Sequence, residues 1–436
     1  MRRAPMRRAP MRWIAATCVA PLLAVACTRG PDASRSPTGP PTPSVEVKTG
    51  PTTALQAMHR LCIPADIAAD PVKKVRTPPA IAEVEHQVET VRGLTYDRPV
   101  NIEPITAGEM DRRLRDYFDA YYPKRFYARR SDAWATIGAI PRNVEILEAL
   151  NTYQQGQVLG YYNSQNEELV YTGDATLDRI EHFVLAHELT HAIDDQHFDL
   201  DRLDDMVVHC DDEIFQAALG VVEGSANHFA TQVLLRYPAA APGSVSGGGS
   251  AGKVPPLITE IQAYPYTAGQ RFVDALADQG GPAAVNRALR TFPTTTEQIL
   301  HPSKFPGEVA EPVDVPDFAP TFGPRWRDHD VMQVGEVWLK ALLHLRLDEA
   351  AATTAAAGWG GGIYRAWSDG KDVAVIMSTV WDTPADATEF SDALGQWLSR
   401  GSGPGLALKA DGTKVNAGFA SSKDFMGALS AALRSL

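Results

Sequence analysis

Behind Thr106-Ala107-Gly108-Glu109, apolar side chains recur at Met110, Leu114, Phe118 and Tyr121. A hydroxyl followed three residues later by a carboxylate is a capping box, and the spacing predicts a helix that ends before Pro123. A second helical stretch is expected near 143–153. Two short apolar runs, 158–162 and 168–172, flank the turn-rich Asn163-Ser164-Gln165-Asn166 and predict a hairpin. Over 177–193, Ile180, Phe183, Val184, Ala186, Leu189, Ala192 and Ile193 form a broad helical stripe, opened by Asp178 with Glu181 three residues on. Residues 218–227 repeat the apolar spacing of a helix. Between them and Tyr264, the Gly-, Ser-, Ala- and Pro-rich stretch 239–256 is expected to be an irregular loop, either a gate or a plain insertion.

Further on, 306–324 is a Pro-punctuated crossing, and Val334, Val337, Trp338, Leu342 and Leu345 mark an amphipathic helix. Gly358-Trp359-Gly360-Gly361-Gly362 is expected to break the chain before two strand-like runs, 363–367 and 373–380, separated by Ser368-Asp369-Gly370-Lys371. Thr383 and Pro384 sit where a helix cap and first turn belong. Trp359 and Trp381 either line a groove or anchor a core. Helices interrupted by two hairpins imply an α+β fold.

The amino terminus has a different pattern. Arg2, Arg3, Arg7, Arg8 and Arg12 precede an apolar run from Trp13 to Ala26, the charged and hydrophobic regions of an export signal, too short for a stable membrane span. MRRAP is written twice, so Met1, Met6 and Met11 are all possible starts. Leu23-Ala24-Val25-Ala26-Cys27 resembles the lipobox of bacterial lipoproteins, which implies a lipid on the Cys27 thiol and attachment to the outer face of the cell membrane. The alternative is an ordinary secretory signal. Residues 27–55, rich in Pro, Ser and Thr, cannot bury a core and read as a tether. Cys62 and Cys210 then remain in the mature body, where an oxidising compartment permits either a disulfide or two buried thiols.

Composition narrows the choices. The 436 residues suit two or three domains, or one catalytic unit with an appendage. We place the catalytic part at 56–310 and a carboxy-terminal α/β region at 311–436. A hydrophobic fraction of 44% supports a sizeable core, while a formal charge of −12 argues against a nucleic-acid partner, whose phosphates need clustered Lys and Arg.

Within the 177–193 helix stands His187-Glu188-Leu189-Thr190-His191. Residues four apart share a helix face, so both imidazoles can reach one metal ion, and Glu188 can take a proton from a water that the metal polarises. Zn²⁺ suits this set, and the reaction expected is hydrolysis of an amide bond in a peptide or protein. A third ligand is needed. His197 has the spacing of the metzincin pattern HExxHxxGxxH, but Asp194 occupies the position where that pattern needs Gly to turn the chain. Glu223, on the later helix, can face the first helix across the metal and is preferred.

An HExxH helix followed by a Glu on a later helix resembles the gluzincins, the thermolysin-like branch of zinc peptidases. This likeness implies a zincin-like fold with the active-site helix beside a small antiparallel sheet. It also implies that Asn227, four residues after Glu223, orients a ligand His from the second shell, and that a Tyr or His beyond the third ligand steadies the oxyanion. His301 is preferred for that role, ahead of Tyr266 and Tyr264. The segments GYY, ELVY, AHELTHAIDDQHFDL, VVEGSA, YPYTAGQRFVDAL, TTTEQILHPSKF and AAGWGGGIYRAW with TVWDTPADATEF resemble a family of HExxH envelope lipoprotein metallopeptidases over most of residues 100–400. His197, if not a ligand, supports the helix end. Asp194, Asp195 and Asp199 read as a solvated acidic face or a calcium site. The rival from another class is an inactive envelope lipoprotein that serves as a binding or scaffold module.

Overall fold

The computed structural model describes residues 13–16, 24–25, 53–62, 77–121, 124–154, 158–164, 166–172, 177–238 and 254–436. The lipidation candidate Cys27, residues 27–52 of the 27–55 tether and most of the loop 239–256 lie outside the described residues, while 54 and 55, the end of that tether, are helical. The chain is a mixture of helices and two sheets, as the alternating patterns predict. Among the described residues, no helix is long and apolar enough to cross a membrane.

The first sheet has the order β2–β1–β4–β5–β3, with β1 at Trp13–Ala16, β2 at Ala24–Val25, β3 at Asn101–Ile105, β4 at Gly160–Asn163 and β5 at Glu168–Thr172. β4 and β5 are the predicted hairpin, paired Tyr161 to Val170 and Tyr162 to Leu169. β3 was not expected. It joins β5 in parallel, Ile102 opposite Leu169, so this sheet is mixed rather than antiparallel throughout. β1 pairs antiparallel with β4, Ile14 opposite Tyr162 and Ala16 opposite Gly160, and it lies in the segment read as an export signal.

Helices α1 (Ala54–Leu61), α2 (Pro79–Arg92), α3 (Ala107–Tyr121), α4 (Lys124–Ile137) and α5 (Ile146–Gln154) precede the hairpin. α3 carries the predicted cap, Glu109 N donating to Thr106 Oγ1 at 3.2 Å. α4 buries Ala133, Trp134 and Ile137 together with a charge, Arg130, which interrupts its apolar stripe. Arg130 is buried and donates to Asp330 and Asp212, both at 2.9 Å, which offsets the cost of removing a guanidinium from water.

After the hairpin come α6 (Arg179–Phe198), α7 (Leu203–Val208), α8 (Asp212–Arg236), α9 (Pro256–Arg290) and α10 (Thr296–Leu300). α6 starts at the predicted cap: Asp178 accepts from Ile180 N and Glu181 N, and Glu181 accepts from Asp178 N in return. α8 and α9 approach so closely that only glycine fits between them. A Cβ on Gly269 would stand 2.1 Å from the Gly220 carbonyl oxygen, and one on Gly224 would stand 2.2 Å from that of Gly269. α9 breaks at Gly280 and Gly281, the latter at φ +60°.

The carboxy-terminal part holds α11 (Ala319–Phe322), β6 (Arg327–Gln333), α12 (Glu336–His344), α13 (Glu349–Ala356), β7 (Trp359–Ser368), β8 (Val373–Trp381), α14 (Pro384–Ser399), β9 (Gly405–Ala407), β10 (Lys414–Ala420) and α15 (Met426–Leu433). Its antiparallel sheet has the order β6–β7–β8–β10–β9. The glycine run at 358–362 does not break the chain but opens β7. Side chains at 361 and 362 would collide with the carbonyl oxygens of Glu311 and Val334, 2.5 and 2.7 Å from a built Cβ, so glycine there admits neighbouring backbone. Trp359 and Trp381 are buried, Trp381 stacked on Phe390 at 4.4 Å, and therefore anchor the core. One apolar cluster runs from Tyr161 and Tyr266 to Trp338, Tyr364 and Trp397, so the two regions divided at 310 share a core. Cys62 and Cys210 are disulfide-bonded, Cα to Cα 5.8 Å, fastening α1 to the chain just before α8.

Candidate metal centre

Three helices build the centre. α6 supplies His187 and His191 one turn apart, α8 supplies Glu223, and α9, held against α8 by the glycine contact, supplies Tyr266. His187 Nε2 lies 3.0 Å from His191 Nε2 and 3.1 Å from Glu223 Oε2, and His191 Nε2 lies 3.3 Å from the same oxygen. All three side chains are buried. Donors held at about 2.0–2.1 Å around a tetrahedral zinc stand about 3.3 Å from one another, so this spacing suits the ion. Two imidazole nitrogens and one carboxylate oxygen are also a donor set zinc accepts.

The electrostatics favour the same reading. Burial lowers His187 below its ordinary value, although Glu223 and the Asn227 side chain oppose the shift, and it pushes His191 down to about 3 against the field of Asp194. Neutral rings keep a lone pair for coordination. Burial raises Glu223, with His187 opposing. Electron-rich atoms this close repel one another unless a proton or a metal cation lies between them, and burial leaves the two rings without protons of their own to spare.

Glu188 is fully buried beside the pair and faces the hairpin. A Cβ at Gly160 of β4 would stand 3.2 Å from Glu188 Cγ and 2.8 Å from Val184, so glycine lets the strand lie directly on this part of α6. Tyr266 is buried with its ring stacked on His187, centroids 6.2 Å apart and planes 23° from parallel. Burial raises its hydroxyl well above the ordinary phenol range, and Glu223 and Glu188 push it the same way, so it stays a proton donor. Asn227 donates to the Tyr266 carbonyl at 3.1 Å, and its side chain opposes the downward shift of His187. Asn227 is thereby tied to the residue that stacks on His187.

The less favoured ligand candidate and the first oxyanion candidate both have other partners. His197 lies on the last turn of α6 with Nε2 2.8 Å from the Thr95 carbonyl oxygen, because the helix continues through Asp194 and carries His197 onward instead of turning it back. His301, preferred for the oxyanion, has Nε2 2.9 Å from Glu336 Oε1 on α12, in a cluster with Glu297 and Lys304. Tyr266, the second candidate for that role, is the one whose side chain interacts with Glu223 and feels the charge of Glu188. The acidic face is also revised: Asp194 is buried against Arg92, and Asp195 accepts from Tyr162 Oη at 3.0 Å, with burial pushing it up to about 8. Asp199 remains exposed as the left-handed cap of α6.

A second acidic group, Glu297, Glu308 and Asp382, surrounds Lys304 Nζ at 2.7, 2.8 and 2.6 Å, so the lysine already supplies the positive charge there. Sequence reasoning missed Gly160, Gly220, Gly224 and Gly269, although Gly220 and Gly224 four apart in an apolar helix are a readable sign of close packing.

A family model described as a domain of unknown function, DUF8575, matches residues 325–430. No curated protein and no solved structure matches the chain. The matched segment covers the carboxy-terminal sheet with its helices, and every residue of the metal centre lies upstream of it.

Proposed function

We propose that this protein is a zinc-dependent metallopeptidase of zincin-like fold, carried outside the cell membrane on a lipidated Cys27. The observation that carries the reading is the convergence of His187, His191 and Glu223 within 3.0–3.3 Å; the charges of Glu223 and Glu188 both act on the Tyr266 hydroxyl, which supports it. A zinc ion in this donor set supplies Lewis acidity, which lowers the pKa of a water towards about 7.

Glu188 accepts the proton from the attacking water. The water oxygen bonds to the carbonyl carbon, the C–N bond breaks, and Glu188 delivers the proton to the departing amine. Tyr266 donates a hydrogen bond to the carbonyl oxygen as negative charge gathers on it. Asn227 holds the His187 ring in orientation. An extended substrate is held by the edge of β4, which takes an antiparallel chain in register from Gly160 to Tyr162. Removal of the export signal frees that edge for substrate.

The test is metal content together with cleavage of casein by the purified protein, wild type against Glu188→Ala. Bound zinc with cleavage lost in the variant supports the reading. Cleavage that survives the substitution removes the mechanism, and wild type without affinity for divalent metal favours a binding module instead.

A further inference from the structure

Asp194 stands where the metzincin pattern has its turning glycine, and here the helix runs straight through it. Its carboxylate is buried and each oxygen reaches a different helix. Oδ1 accepts from Arg92 Nε of α2 at 2.7 Å, and Oδ2 accepts from Ser225 Oγ of α8 at 2.6 Å. The Arg92 guanidinium, also fully buried, lies over the ring of Phe229 on α8 at 4.5 Å and near that of Phe198 on α6 at 5.5 Å. Charge, hydrogen bond and both rings therefore converge on the join between α6 and α8.

That join has a particular burden. Asp194 follows His191 by three residues, and Ser225 follows Glu223 by two, so the bond between them ties the two ligand-bearing helices within a turn of their donor atoms. The helices also share an apolar cluster including Leu185, Leu189, Ala230 and Val233. Such contacts are non-directional and tolerate small slides, whereas a metal centre is sensitive to displacements of about 0.5 Å. Directional bonds between buried charged groups remove that freedom.

We propose that Arg92, Asp194 and Ser225 form a positioning lock that fixes α8 against α6, so that Glu223 meets His187 and His191 at coordinating distance. This rests on the metallopeptidase reading. None of the three residues touches substrate; their effect falls on metal affinity and on coordination geometry.

The test uses the full mature protein loaded with Zn²⁺ and, separately, with Co²⁺. Ser225→Ala removes one hydrogen bond and leaves the Arg92–Asp194 pair intact, so the fold is retained. Zinc affinity is read by competition with a chelating dye, coordination by the visible spectrum of the cobalt form, and folding by the melting of the metal-free protein. The expected result is zinc binding weaker by about tenfold and an altered cobalt spectrum, with the metal-free midpoint little changed. Asp194→Ala, combined with Ser225→Ala in a double-mutant cycle, is expected to be non-additive in zinc affinity because both substitutions remove the same bond. Unchanged affinity and spectrum in Ser225→Ala, with wild type binding zinc, overturn the lock and leave the metallopeptidase reading standing. Wild type that binds neither metal overturns both.

Discussion

His187 Nε2 and Glu223 Oε2 stand 3.1 Å apart, buried, on two different helices. With His191 they make the proposed ligand set, so removing the carboxylate should empty it. Glu223→Ala is expected to purify with far less than the roughly one zinc per chain of a single catalytic site, whereas His197→Ala should retain its metal. Elemental analysis of both variants decides the third ligand.

Glu188 sits beside the ligands without being one of the three. Glu188→Gln should therefore keep its zinc and lose activity by about 10²- to 10⁴-fold. A variant that loses metal and activity together would make Glu188 structural.

Tyr266 stacks on His187, and its raised pKa keeps the hydroxyl protonated across the working range. Tyr266→Phe is expected to lower kcat by about 10²- to 10³-fold while KM changes little, since the bond it makes strengthens as charge develops on the oxygen. His301→Ala, by contrast, should leave kcat near wild type. Steady-state kinetics on one peptide would separate the two.

Glu213 accepts from the backbone and hydroxyl of Thr296, and burial raises its carboxyl from the ordinary 4.5 to about 7. The folded pKa lies above the unfolded one, so the stabilising contribution is complete below about 4.5 and is lost as pH rises through 7, a difference on the order of 3 kcal/mol. Glu213→Gln mimics the protonated form. Its melting midpoint in chelator should fall less than that of wild type between pH 5 and pH 8. Equal falls would place the proton elsewhere.

Gly269→Ala inserts a methyl where the Gly220 carbonyl oxygen already stands 2.1 Å from the built atom. Separating α8 from α9 should cost about 1–3 kcal/mol or more and carry Tyr266 away from Glu223. Denaturant melts should show lower stability, and kinetics should show reduced kcat in whatever fraction remains folded.

Much of the candidate centre is legible in the sequence because its first part is local. His187, Glu188 and His191 are fixed relative to one another by helical geometry alone, and the apolar spacing around Glu223 announces a second helix. The tyrosine at this centre is not legible in this way. Tyr266 reaches the centre only because three glycines bring α9 onto α8, and His301 is drawn off by Glu336, which follows it by 35 residues. In the fold, β3 escapes notice because Asn101–Ile105 contains Pro104 and gains its strand character by pairing with β5. α4 escapes because Arg130, polar by pattern, is an interior residue whose partners Asp212 and Asp330 lie far along the chain.

The shared core makes the two halves dependent on each other for solubility. Trp338, Tyr364 and Trp397 belong to the same apolar cluster as Tyr161 and Tyr266, so residues 325–430 translated alone would present that surface to water. Cut off from the upstream half, the segment should therefore be a sticky fragment rather than a smaller working protein.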